Sequence, residues 1–163
     1  MSIPLNKVHH TADLTPRSRR VPGAAKPLVL VVEDHDDTCF LLTTLLEMRG
    51  CTAVVAGNGE EAVRLAESVR PDLILMDAGL PLLDGLAATR QIRASMLPDR
   101  VPIVFLSGHA EPAFRVVALA AGCDEYLVKP VRLEQIDRVL DELFGPDGGP
   151  VKTTYPKMMS AES

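Results

Sequence analysis

A chain of 163 residues, 47% of them hydrophobic, has material for one ordinary folded domain with a full core and no room for a second of useful size. The formal charge of −5 hides an asymmetry: residues 28 to 144 hold 19 acidic residues against 10 Lys and Arg, while residues 1 to 27 hold five basic residues against Asp13. An acidic core argues against DNA as the main partner; no ~20-residue apolar span and no signal-peptide run is present, so no membrane association and a cytoplasmic location are the expectation.

Residues 1 to 27 mix Pro, Arg, Thr and Ser without periodicity and read as a flexible basic tail. Within it Arg17-Ser-Arg-Arg20 is either a solvated charge run or a docking patch. The first strand is expected at 28 to 33, where Leu28-Val-Leu-Val-Val32 runs into Glu33 and Asp34. Asp36 and Asp37 then open a helix containing Phe40, Leu41, Leu45 and Leu46, which Gly50 stops. A second strand at 52 to 56 leads into Gly57-Asn-Gly-Glu-Glu-Ala62, where Asn58 and Glu61 have the spacing of a helix cap.

The third strand, 72 to 76, is Asp72-Leu-Ile-Leu-Met76 and delivers Asp77; Asp84 can cap the helix that follows, with Leu86 and Ile92. The fourth, 102 to 106, is Pro102-Ile-Val-Phe-Leu106 and delivers Ser107. Pro112 suits the first turn of a helix expected to turn Phe114, Val117, Ala118 and Ala121 inward. The fifth strand, 124 to 128, delivers Lys129, and Leu133, Ile136, Val139, Leu140 and Leu143 form one stripe of a last helix. Residues 145 to 163 begin Gly-Pro-Asp-Gly-Gly-Pro150 and read as a second flexible tail.

Short unbroken apolar strands alternating with amphipathic helices predict an α/β fold with a doubly wound, flavodoxin-like, five-stranded parallel sheet in strand order 2-1-3-4-5, filling residues 28 to 144. Ligands of such sheets bind at the carboxyl edge of the strands, and here that edge carries Glu33, Asp34, Asp77, Ser107 and Lys129. Hard carboxylate oxygens suit Mg²⁺, and three acids so close would raise one another's pKa values without a cation. An ammonium and a hydroxyl are what a transferred phosphoryl group needs on its remaining oxygens. Each residue alone has a plainer reading as a cap or a solvated loop side chain; it is their convergence that points to a site.

Two other patterns weigh less. Gly57-Asn-Gly-Glu-Glu-Ala62 fits a dinucleotide fingerprint, with Asp77 twenty residues after Gly57. Glu60 and Glu61, however, set negative charge where a pyrophosphate would sit, and the motif follows the second strand, so a turn with a helix cap is the better reading. Cys39, Cys51 and Cys123 are an odd count without a close pair and read as free thiols of a reducing compartment. His35 and His109 read as exposed.

Val32-Glu-Asp34, Leu73-Ile-Leu-Met-Asp77 with Leu80-Pro81 and Asp84-Gly85, Phe105-Leu-Ser-Gly108, and Tyr126-Leu-Val-Lys-Pro130 together resemble the receiver domain of two-component response regulators, over residues 28 to 144. The resemblance implies that Asp77 is the phosphoacceptor, that Asp34, Asp77 and the Gly79 backbone carbonyl bind Mg²⁺, and that Glu33 acts through a bound water. It also implies that Lys129 and Ser107 hold the phosphoryl oxygens, that Tyr126 is a switching aromatic, and that the peptide bond before Pro130 is cis. Gly79 and His109 fall at the positions that would modulate phosphoryl lifetime, with a solvent-facing His109 as the alternative. The family more often has two aspartates at the first acidic pair, where this chain has Glu33, and Thr where it has Ser107.

The implied activity is that of a stand-alone receiver, not a turnover enzyme: a sensor histidine kinase or histidine phosphotransfer protein donates the phosphoryl group, and the face of the fourth helix, fifth strand and fifth helix acts on a downstream protein. A Mg²⁺-dependent phosphatase of the haloacid dehalogenase type is the competing reading, opposed by Gly79 where that class has a second Asp. Kinase, target, pathway and homodimerisation stay open.

Overall fold

The computed structural model describes residues 26–81, 83–95 and 100–145. Apart from residues 26, 27 and 145, the two expected tails lie outside the described residues. The elements run β1 (Leu28–Val32), α1 (Asp36–Met48), β2 (Thr52–Ala56), α2 (Gly59–Val69), β3 (Leu73–Asp77), α3 (Gly85–Ser95), β4 (Ile103–Ser107), α4 (Pro112–Ala121), β5 (Glu125–Val128) and α5 (Leu133–Phe144). All strand pairs are parallel, in the order β2-β1-β3-β4-β5 expected from the sequence.

Strand pleating sends alternate side chains to opposite faces, and both faces are covered. On one, Leu30, Val32, Ile74, Met76, Ile103 and Phe105 pack against the alanines of α2, α3 and α4 and against Ile92. On the other, Val29, Val31, Leu73, Leu75, Val104 and Leu106 pack against Leu42 and Leu46 of α1 and Ile136, Val139, Leu140 and Leu143 of α5. Each of the large side chains buried this way contributes about 1.5–3 kcal/mol.

Three inward assignments are corrected by the structure. Phe114 and Val117 are 43% and 42% exposed, and Leu133 is 44% exposed. The reason in α4 is that Pro-Ala-Phe-Arg-Val-Val-Ala-Leu-Ala-Ala is apolar nearly all round, so its pattern selects no face; the small Ala118 and Ala121 turn to the sheet. Leu133 is the first residue of α5, ahead of the turn that packs. Strands β3 and β4 also run one residue further than the apolar pattern, so Asp77 and Ser107 are the last residues of strands.

Two glycines let α2 and α3 approach the sheet edge. A Cβ at Gly59 would stand 1.9 Å from the Leu83 carbonyl oxygen, and one at Gly85 would stand 2.4 Å from the Asp77 carbonyl oxygen. The Gly57–Ala62 segment is thus a packed turn: Asn58 Oδ1 accepts from the Glu61 amide at 2.8 Å, and Glu61 Oε2 occupies the Gly57 amide at 2.9 Å. That closes the glycine motif to phosphate.

A polar clamp ties the far edge together. Arg93, near the end of α3, donates to the carbonyls of Gly122 (2.8 Å) and Val101 (2.6 Å) and to Asp124 Oδ2 (2.8 Å), which also accepts from the Ile103 amide at 2.8 Å. Burial lowers the Arg93 pKa from its ordinary value, against the pull of Asp124. Arg100 reaches the other Asp124 oxygen from a half-exposed position. Arg93→Ala is expected to cost about 3 kcal/mol in urea unfolding, because it takes the buried ion-pair partner from Asp124 and leaves two carbonyls without their donor. Arg100→Ala, at the same carboxylate but in solvent, should cost less than about 1 kcal/mol.

Candidate functional site

The sheet register sets the site. Val32 pairs with Met76 and Asp77 with Leu106, so Glu33 emerges level with Asp77 on the neighbouring strand, and Ser107 one step beyond it. Ser107 pairs with Val128, and the Lys129 amide donates to the Ser107 carbonyl at 2.7 Å, which carries the ladder to the lysine. The Lys129–Pro130 peptide bond is cis. Four strand ends therefore deliver acid, acid, hydroxyl and amine side by side.

The carboxylates differ in burial. Glu33 and Asp77 are buried, while Asp34 is exposed. Lys129 Nζ bridges the buried pair, 3.1 Å from Asp77 Oδ1 and 3.2 Å from Glu33 Oε2. Burial works against the lysine's charge, but the hydrogen bond and attraction to Asp77, with those to Glu33, outweigh it and raise its pKa above the ordinary value. The ammonium is therefore fully charged at neutral pH. Asp77 Oδ1 also accepts from the Gly79 amide at 3.2 Å, so one oxygen takes both hydrogen bonds.

His35, read from the sequence only as exposed, belongs to this cluster. Its Nδ1 lies 2.9 Å from Glu33 Oε1 and 3.1 Å from Asp34 Oδ1. The hydrogen bond to Glu33 and the charges of Asp34 and Glu33 raise its pKa above the ordinary histidine value. Ligand atoms of Glu33, Asp34, His35 and Asp77 all fall within 4.8 Å of one another. The available signal in the sequence was adjacency: His35 directly follows the acidic pair.

Ser107, His109 and Tyr126 form a second, connected group. Ser107 is buried, and its Oγ accepts from the His109 amide at 3.1 Å; the His109 carbonyl accepts from the Tyr126 hydroxyl at 2.6 Å. The Tyr126 ring lies inward, 6% exposed and 6.5 Å from the Phe105 ring. The His109 imidazole stacks on Phe114 at 3.9 Å, turned to the start of α4. Cys51 and Cys123 are buried and Cys39 partly so; burial raises the Cys123 pKa to about 12, which disfavours its thiolate.

At the carboxyl edge of a doubly wound α/β sheet, two buried carboxylates are bridged by a lysine, with a third carboxylate at the rim, which sets oxygen donors of the kind that suit a hard cation beside an ammonium. The family model described as the response regulator receiver domain matches residues 29–141, and the chain belongs to that family. It is 39% identical over 114 residues to the transcriptional regulatory protein PrrA of Mycobacterium tuberculosis, an alignment covering 70% of this chain and 48% of PrrA. The chain spans about half the length of the curated relatives it matches.

Among solved structures, the receiver domain of the sensor histidine kinase PA1611 from Pseudomonas aeruginosa, with a magnesium ion coordinated in its active-site cleft, matches with a TM-score of 0.66 and 39% identity, over 72% of this chain and 96% of that one. The receiver domain of Ssk1 from Saccharomyces cerevisiae, crystallised with the histidine phosphotransfer protein Ypd1, matches with a TM-score of 0.68 and 32% identity, over 72% and 88%. The phosphatase reading draws no support from these comparisons. No helix among the described residues is long and apolar enough to cross a membrane.

Removing the lysine tests the electrostatics of the site directly. Lys129→Ala leaves Glu33 and Asp77 buried and facing each other without their bridging cation, and should cost about 1–3 kcal/mol in chelator-treated protein, the range discounted for the partial exposure of Lys129. Added Mg²⁺ should then stabilise the variant more than the unchanged protein, as read by thermal unfolding.

Proposed function

We propose that this chain accepts a phosphoryl group on Asp77 from a phosphohistidine of a sensor kinase or phosphotransfer protein, and relays that event through the face formed by α4, β5 and α5 to a partner protein. The observation that carries the reading is the Asp77 carboxylate itself: buried at the end of the central strand, with Oδ1 fixed by Lys129 and the Gly79 amide. A carboxylate so oriented can attack phosphorus while the N–P bond of the phosphohistidine breaks and the imidazole leaves. Little covalent work falls to the protein; positioning and charge neutralisation supply the rate.

The donor set fits a hard divalent cation, since oxygens of three carboxylates converge within 4.8 Å of one another. Asp34, Asp77 and the Gly79 carbonyl would hold Mg²⁺, with Glu33 acting through water, and the ion would neutralise charge on the transferring oxygens. Glu33 suits an indirect role because Oε2 is engaged by Lys129 and Oε1 by His35. Lys129 holds a phosphoryl oxygen with a full positive charge, and Ser107 offers its hydroxyl to another.

Signalling follows from the hydrogen-bonded chain of Ser107, His109 and Tyr126. Tyr126 is already inward and tethered to the His109 carbonyl, so phosphorylation would act by population shift: drawing Ser107 toward Asp77 moves the 107–109 loop and the tyrosine bound to it. The loop's His109 stacks on Phe114, which connects it to the exposed apolar side chains of α4, Val116, Val117 and Leu119. Gly79 sets the lifetime of the phosphoryl group by leaving the approach of water unobstructed; His109 contributes to it only by leaving its stack on Phe114.

Incubation with acetyl phosphate and Mg²⁺ should add one hydroxylamine-labile phosphoryl group, seen by intact mass, and Asp77→Asn should abolish it. Labelling that persists in Asp77→Asn would overturn the assignment. Multiple-turnover release of phosphate from an added monoester would favour the phosphatase reading instead.

A further inference from the structure

His35 is the member of the acidic cluster to which the phosphoryl chemistry gives no task. It occupies the N-cap position of α1 but makes no side-chain cap, so the helix does not explain its orientation. Its backbone amide donates to Glu33 Oε1 at 3.2 Å, which anchors the residue, and its Nδ1 stands 2.9 Å and 3.1 Å from one oxygen each of Glu33 and Asp34. Neighbouring ligands around a small divalent cation in octahedral geometry, at donor distances of 2.0–2.1 Å, are about 3 Å apart and opposite ones about 4.2 Å apart. The nitrogen and the Asp34 oxygen already have that spacing, and Asp77 belongs to the same group of donors, contained within 4.8 Å.

We propose that His35 is a nitrogen ligand of the same cation centre as Asp34 and Asp77, and that it shifts the centre's preference from Mg²⁺ toward divalent transition ions such as Co²⁺. The inference rests on the reading of this cluster as the cation site of the phosphoacceptor. Its chemistry is the donor type: carboxylate and carbonyl oxygens suit Mg²⁺, whereas an imidazole nitrogen adds affinity for the later first-row ions and little for Mg²⁺. The ring is 71% exposed and free to pivot a short way onto an ion, and when it does Glu33 Oε1 keeps its bond from the His35 amide. The other histidine among the described residues, His109, is occupied by its stack on Phe114.

The test is calorimetric titration of the full chain with Co²⁺ and, separately, with Mg²⁺ above neutral pH, accompanied by the visible absorption of bound Co²⁺. His35→Ala should lower Co²⁺ affinity about tenfold or more, change the Co²⁺ absorption band, and leave Mg²⁺ affinity within about twofold. The residue is exposed and outside the core, so the variant folds. Asp34→Ala should weaken both ions, which assigns the affected Co²⁺ to this centre and not to the His9-His10 pair. Equal Co²⁺ affinity in the unchanged protein and His35→Ala, or a parallel loss of both ions, would overturn the proposal. Failure of the underlying reading is separately visible: the unchanged protein would then bind no Mg²⁺ while still losing Co²⁺ affinity in His35→Ala.

Discussion

Two carboxylates buried side by side at the ends of adjacent parallel strands are the constraint around which this molecule is organised. Glu33 and Asp77 are 1% and 4% exposed, and a pair of negative charges so removed from water is tolerable only with a cation between them. Lys129 supplies it from β5, two strands away from Asp77. The order of the sheet is therefore inseparable from the chemistry: β1, β3 and β5 must end at one edge for one ammonium to reach both acids. In the proposed function, a cation centre and an anion-accepting lysine share a carboxylate, Asp77, which is the condition for receiving a phosphoryl group.

Keeping that edge in register is the work of contacts away from it. Gly85 allows α3 to seat against the Asp77 carbonyl, and Gly59 allows α2 to seat against Leu83 in the loop that leaves β3. The Arg93–Asp124 clamp joins the end of α3 to the starts of β4 and β5, so the strands that deliver Ser107 and Lys129 are fixed from their opposite ends. Arg49, at the end of α1, pairs with Asp137 at 2.5 Å and with Asp141, which secures α5 on the other face. Rigid strands and a tethered loop thus meet at the site.

The parts legible from sequence are those that a local pattern dictates. Each of Glu33, Asp77, Ser107 and Lys129 follows an unbroken apolar run, and such runs identify parallel strands and their ends almost by themselves. Asn58 and Asp84 were legible as caps for the same reason, their side chains bonding three residues along. What escaped depends on tertiary contact. The facing of α4 could not be read, because a helix apolar on every side carries no phase; Arg93 and Asp124 look like ordinary surface charges until the fold brings them together from 31 residues apart. His35 was passed over because an exposed side chain at the rim of a site can still join the cluster within it.

The account's central claim, that Asp77 with its lysine and metal neighbours forms an anion-accepting centre coupled to the Ser107–Tyr126 group, is most directly tested with the phosphoryl mimic trifluoroberyllate, followed through the backbone amide resonances of isotope-labelled protein. Binding should require Mg²⁺, should be abolished in Asp77→Asn, and should shift the amides of Ser107, His109 and Tyr126 together with those of α4. Binding that proceeds without Mg²⁺, or that leaves the Ser107–His109 amides and α4 unmoved, would contradict it.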